Sequence, residues 1–99
     1  MFRADIPPHV SEAIRHLSPD LKRSIKAAVR ALCMNPSEGA PLVKELEGLW
    51  KYRVSRFRIV YAIDRRRKVI RVMAVGHRRS VYEEVTKHLP KMRKGKLSK

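Results

Sequence analysis

The side chains best placed for chemistry in this sequence are cations set in alternation. Residues 50–63 read WKYRVSRFRIVYAI. Successive side chains of a strand point to opposite faces. That puts Trp50, Tyr52, Val54, Phe57, Ile59, Tyr61 and Ile63 on one side and Lys51, Arg53 and Arg58 on the other. A two-residue turn at Ser55 and Arg56 pairs Val54 with Phe57, Arg53 with Arg58, Tyr52 with Ile59 and Lys51 with Val60. Neither turn residue favours positive φ as glycine does, so the register rests on the alternation alone. Like charges directly opposed destabilise a strand pair. Such a cluster is tolerable as a hydrated outer face, and it is also what an anion site demands. Val60 and Ala62 share that side and suit the floor of a shallow groove better than a washed surface. A second basic stretch, GHRRSVY at residues 76–82, brings His77, Arg78, Arg79 and Tyr82 to a strand end and helix start. Backbone donors at a helix N-terminus favour anions there.

Other reactive types are scattered. His9, His16 and His88 read as surface or helix-end residues. Cys33, beside Leu32 on an apolar helix, reads as core, and Trp50 reads as a core anchor. Four dispersed histidines and one cysteine give no metal-ligand spacing. The run DRRRK at residues 64–68 reads as a solvated hairpin.

The elements that must position these residues follow from spacing. Residues 2–6 suit a short strand with Phe2, Ala4 and Ile6 on one side, and Pro7-Pro8 can open a helix. Val10, Ala13, Ile14 and Leu17 recur at helical spacing. Ser18-Pro19 restarts the pattern as N-cap and first helical residue. Leu21, Ile25, Ala28, Val29 and Leu32 then form one stripe, which Asn35-Pro36 stops. Residues 36–48 make a loop with one helical turn near residues 42–46. Strands are expected at about 49–55, 57–63 and 69–75, with Gly76 ending the third. Ser80 and Glu83 have capping-box spacing, and a last helix over about 81–89 buries Val81, Val85 and Leu89 before Pro90 closes it. The expected fold is α+β, in the order β-α-α-β-β-β-α, with the helix hairpin packed on one face of an antiparallel sheet.

Ninety-nine residues suffice for one modest core. The domain is expected over residues 1–89, with residues 90–99 as a basic, disordered tail. Lys and Arg total 24 against 9 acids, a net charge of +15. Five cations lie in the tail, which leaves +10 on residues 1–90. Such a chain attracts polyanions: nucleic acid first, an acidic protein second, an anionic membrane surface third. The single cysteine excludes an internal disulfide and suits a reducing cytoplasm. No apolar run approaches the roughly 20 residues that span a bilayer, and MFRADIPPHV has no signal-peptide apolar region.

LEGLWKYRVSRFRIVYAI and KVIRVMAVGHRRSVYEE together resemble the RelE/ParE superfamily of toxins from type II toxin–antitoxin systems, with the RelE branch the nearer. The shared features are Leu-x-Gly-Leu-Trp, a basic alternating strand, an Arg-x-x-Tyr strand, and an apolar strand that ends in Gly-His-Arg with a tyrosine following. The likeness covers roughly residues 2–89. It implies a RelE-like microbial RNase fold and a ribosome-dependent mRNA endonuclease (mRNA interferase) that inhibits translation. No metal or other cofactor is implied. The 2′-hydroxyl attacks the adjacent phosphate and leaves a 2′,3′-cyclic phosphate. It further implies three partners: mRNA, the ribosome and a cognate antitoxin that covers the cation face or displaces the last helix.

The family's site residues map onto Lys51, Arg53, Arg58, Arg78 and Tyr82, while Arg56 and Arg79 add cations for RNA. In-line attack needs a base, cations for charge developing on phosphate and a donor for the leaving oxygen. Arginine can only stabilise charge. A lysine can act as base where nearby cations favour its neutral form, which points to Lys51, with His77 the alternative acid or base. Tyr82 can stack on a base or join proton transfer. A second lysine is common in the family where this chain has Arg53, and Gly-Asp where it has Ser55-Arg56. Two other readings stay open. One is a non-catalytic toxin of the ParE branch that inhibits DNA gyrase, a branch that usually lacks the Lys/Arg/Tyr set present here. The other is a small RNA-binding protein that does not cleave.

Overall fold

The computed structural model describes the backbone of residues 1–92 and the side chains of residues 1–87. In chain order the elements are β1 (Arg3–Asp5), α1 (Pro8–Arg15), α2 (Pro19–Met34), β2 (Ala40–Pro41), β3 (Leu49–Val54), β4 (Phe57–Asp64), β5 (Val69–His77) and α3 (Val81–Met92). Short 3-10 turns occupy Pro36–Glu38 and Lys44–Leu46. The fold is α+β, with strands ordered β1-β5-β4-β3-β2 in one sheet. β1 lies parallel to β5 and the other neighbours are antiparallel. None of the helices described is long and apolar enough to cross a membrane.

The helices form where caps and stripes coincide. Pro8 opens α1, which buries Val10 and Ile14. The Ser18 hydroxyl accepts the Leu21 N–H at 3.4 Å and caps α2, which buries Ile25, Ala28, Val29 and Leu32. These helices cover one face of the sheet, where Ile59, Tyr61, Ile70 and Val72 complete the main core. Phe2, Ala4, Ile6 and Trp50 pack against it, as does the half-buried Cys33, whose thiol burial pushes up in pKa.

Four expectations need correction. The sheet has an extra strand, β2, too short and proline-containing to show any periodicity. β5 continues through Gly76 to His77, because pairing with Arg58 and Phe57 extends it beyond its apolar run. α3 continues through Pro90 to Met92. Proline's fixed φ lies within the helical range, so Pro90 does not by itself end the helix. The remaining correction concerns the second face, which is a core of its own. There Leu49, Val60, Met73, Ala74, Val81 and Val85 are buried together, and Val60 is fully buried under α3 rather than flooring an open groove. A bulge at Val60/Tyr61 leaves Met73 without a β4 partner and lets Met73 and Ala74 both join this core. The expected burial of Leu89 lies outside the described side chains, and the expected tail lies outside the described residues from 93 onward.

Candidate active site

The register of the β3–β4 hairpin decides which cations meet. Lys51 pairs with Val60, Arg53 with Arg58 and Val54 with Phe57 across a two-residue turn at Ser55 and Arg56. Ser55 takes φ 57°, the left-handed region that glycine usually fills at the first position of such a turn. Arg53 and Arg58 are therefore direct neighbours on the side that carries α3. Arg58 Nη1 donates to the carbonyls of Ser55 (3.2 Å) and Phe57 (2.9 Å), which draws its guanidinium back over the turn.

Lys51, Arg53 and Arg58 line one open concavity of about 420 Å³. Lys51 and Arg58 are half-buried, while Arg53 is exposed. The remaining wall comes from Tyr52 and from the segment carrying Glu38, Gly39 and Ala40. Sequence reasoning missed this wall. It exists because Ala40 pairs with Lys51 and Pro41 with Trp50, a contact of two residues that leaves no pattern. The glycine and proline in SEGAP were the available signal, and they indicate only a turn.

The other expected residues lie outside the lining of this concavity. Arg56 sits exposed in the turn, and its carbonyl accepts the Arg78 N–H at 2.8 Å, which fastens the segment after β5 to the hairpin. Arg78 and Arg79 are both exposed. Tyr82 is half-buried in the first turn of α3 and packs on the second core, on the same side of the sheet as the cations. His77 is not brought to them. It pairs with Phe57, meets that ring edge-on at 6.1 Å, and so lies towards α1 and α2. Its Nδ1 accepts the Arg79 N–H at 3.3 Å.

The N-terminus of α3 offers less to an anion than its neighbouring arginines suggest. Ser80 N–H already donates to the His77 carbonyl, and Glu83 and Glu84 occupy the first helical turn. Acids there answer the helix dipole themselves. The cations that line the concavity are those of the β3–β4 hairpin, Lys51, Arg53 and Arg58, with Glu38 in the opposite wall.

Comparison with known structures agrees on the fold. A RelBE toxin–antitoxin complex from Mycobacterium tuberculosis aligns with TM-score 0.70 at 23% identity, over 77% of this chain and 96% of that one. The isolated RelE toxin of E. coli aligns with TM-score 0.68 at 22% identity, over 90% and 99%. A YoeB–YefM complex from Staphylococcus aureus aligns with TM-score 0.64 at 17% identity, over 78% and 97%. At such identities the likeness speaks for the fold alone. No curated protein matches the chain. The family described as ParE toxin of type II toxin–antitoxin system, parDE, matches residues 5–82. With most of its length inside that match, the chain belongs to the ParE toxin family, within the RelE/ParE superfamily of type II toxin–antitoxin toxins.

Proposed function

We propose that this toxin is a ribosome-dependent mRNA endonuclease that stops translation by cutting mRNA through a 2′,3′-cyclic phosphate. The observation that carries the reading is the convergence of Lys51, Arg53 and Arg58 on one concavity, with the backbone of Arg78 tied to the hairpin turn through the Arg56 carbonyl. A surface with no ligand to hold would gain stability by separating those charges.

The roles follow from side-chain chemistry. A phosphate in the concavity meets Arg53 and Arg58, whose guanidinium groups bind phosphate oxygens in a fork and carry the charge that develops at phosphorus. Lys51, on the same side, takes the proton from the 2′-hydroxyl. The new bond joins the 2′-oxygen to phosphorus. The bond to the 5′-oxygen breaks, and that oxygen leaves as a hydroxyl after accepting a proton. His77 is the weaker choice of base, since its ring meets Phe57 on the opposite side of the sheet. Tyr82, half-buried beside the second core, can stack on a nucleobase. The resident partner is a cognate antitoxin, as in the RelBE and YoeB–YefM complexes that share the fold, and a chain of net charge +15 suits an acidic one.

The test is cleavage of end-labelled mRNA on programmed ribosomes beside the same mRNA alone. New ends within the A-site codon, formed only with ribosomes and bearing a cyclic phosphate, support the reading. Arg58→Ala is expected to lower the cleavage rate about 100–1,000-fold, the usual cost of removing one group that stabilises transition-state charge, with the circular dichroism spectrum unchanged. Lys51→Ala and Arg78→Ala are expected to reduce it strongly as well. Normal cleavage by all three variants would place the chemistry elsewhere. If the wild-type protein cuts nothing in either tube and inhibits gyrase supercoiling instead, the endonuclease reading is wrong.

A further inference from the structure

The wall of the concavity opposite Arg58 is fixed by a contact that the reaction itself does not use. Tyr61 is fully buried on the side of α1 and α2, away from the cations. Its hydroxyl nevertheless reaches the segment that forms the wall. It donates to the Pro36 carbonyl at 2.7 Å and accepts the Gly39 N–H at 3.3 Å. Burial raises the pKa of this phenol, so it stays neutral and able to donate.

Gly39 completes the arrangement. Its φ of −80° suits any residue, so backbone freedom is not what glycine supplies here. Space is. A Cβ at this position would stand 2.3 Å from the Lys51 carbonyl oxygen and 2.6 Å from the Tyr61 hydroxyl. The backbone at Gly39 is thus pressed against the backbone of Lys51, and the next residue, Ala40, pairs with Lys51. A buried tyrosine bonded to backbone is commonly a core residue with its hydroxyl satisfied. This one spends both bonds on the segment that brings Glu38, Gly39 and Ala40 to the concavity.

We propose that Tyr61 and Gly39 are positioning residues, which together lock the segment of residues 36–40 against Lys51 and thereby set where that lysine and the phosphate meet. The catalytic part of this proposal rests on the endonuclease reading. The lock itself does not.

Tyr61→Phe tests it with the least disturbance, since it keeps the ring and removes only the hydroxyl. On programmed ribosomes kcat is expected to fall about tenfold with KM within about twofold, the pattern of a transition-state group that has lost its place rather than its binding. Amide hydrogen exchange is expected to speed up at Gly39, Ala40 and Lys51 and to stay unchanged at Ile59 and Ile70 in the core. Gly39→Ala should lower kcat further, because its Cβ must displace the Lys51 carbonyl. Unchanged kcat in Tyr61→Phe overturns the proposal, and so does faster exchange spread evenly over the core, which would mark Tyr61 as a packing residue only. If wild type cuts no RNA, the endonuclease reading falls and exchange alone decides the lock. Local acceleration around Gly39 and Lys51 then upholds it, and exchange identical to wild type sinks it.

Discussion

On the side of α1 and α2, the sheet turns in apolar and aromatic residues, with His77 at the end of β5. Ile25, Leu32, Ile59, Tyr61, Ile70 and Val72 are all fully buried there. On the side of α3, Val60 is just as buried, but two residues back along the same strand stands Arg58, with Arg53 directly opposite it. One face is sealed by two helices and the other is covered only in part. An antiparallel sheet often leaves one face hydrated, but here the uncovered end sets two arginines directly against each other. Leaving cations side by side at the uncovered end forgoes apolar burial and adds repulsion. The stability forgone lies at the residues that line the concavity, while α3 covers Val60 and holds Tyr82 half-buried on the same side.

The main core gives the larger effect. Leu32→Ala empties a fully buried position in the main core, where such truncations cost roughly 2–5 kcal/mol. The expected result in urea or thermal unfolding is a loss in that range. RNA cleavage per folded molecule should fall less than in Tyr61→Phe, since Leu32 neither lines the concavity nor bonds the segment that walls it, although Tyr61 belongs to the same core. A variant that stays fully folded but loses cleavage would show that the two faces are coupled more tightly than their separate cores imply.

Next comes the smaller core. Val85→Ala removes two buried methyl groups, worth roughly 1.6 kcal/mol of burial at about 0.8 kcal/mol each, and its effect should invert the first pattern. Global stability falls less than with Leu32→Ala, while cleavage per folded molecule falls more, because α3 loosens and carries Tyr82 with it. Hydrogen exchange that accelerates in α3 ahead of β4 and β5 is the measurement that distinguishes local from global loosening.

The same asymmetry explains what was legible in the sequence. The main core was readable because its residues repeat: the stripe from Leu21 to Leu32 and the alternation from Trp50 to Ile63 carry period and type together. Even the Ser55-Arg56 turn followed from that alternation, although Ser55 has to adopt φ 57° to make it. The second core was hidden because Leu49, Val60, Met73 and Val85 come from separate elements, and one of them enters through a bulge that no alternation announces. Half of the candidate site was legible on the same grounds. Lys51, Arg53 and Arg58 share a strand face, as their alternation predicts. The Glu38–Ala40 wall comes from a loop whose position depends on a buried hydroxyl of another strand, and local pattern says nothing of such a contact. His77 was misjudged as a neighbour of the cations because β5 runs two residues longer than its apolar stretch, and strand length decides which face its last residue takes.

A smaller effect separates the faces by pH. Tyr61 has its pKa raised by burial, and folding therefore favours its neutral form. The sign follows: this contribution is fully present below the pKa of an unfolded tyrosine, about 10, and is lost as pH rises through the higher folded-state value. Cys33, raised by the same cause, acts with the same sign from about 9 upward. Stability should thus decline on the alkaline side, and Tyr61→Phe should decline less steeply than wild type. Equal slopes in urea midpoints taken at about pH 8 and about pH 10.5 would mean that the phenol is hydrated in solution.

The smallest expected effect is a gain. Arg53 and Arg58 stand directly opposite each other, and like charges so placed destabilise a strand pair by something within the roughly 0.2–1 kcal/mol that cross-strand pairs are worth. Arg58 has partial relief through the Ser55 and Phe57 carbonyls, while Arg53 is exposed. Arg53→Gln keeps most of the side chain's length and removes its charge, so it should raise the midpoint of unfolding slightly while weakening RNA binding. The gain must shrink as salt rises, because at 0.1 M the screening length is about 10 Å and at 1 M about 3 Å. A gain of equal size at both salt concentrations would trace to strand propensity or packing instead. No gain at low salt would mean that the two guanidinium groups avoid each other well enough to share a face at no cost, and the cation pair would then cease to be a mark of function.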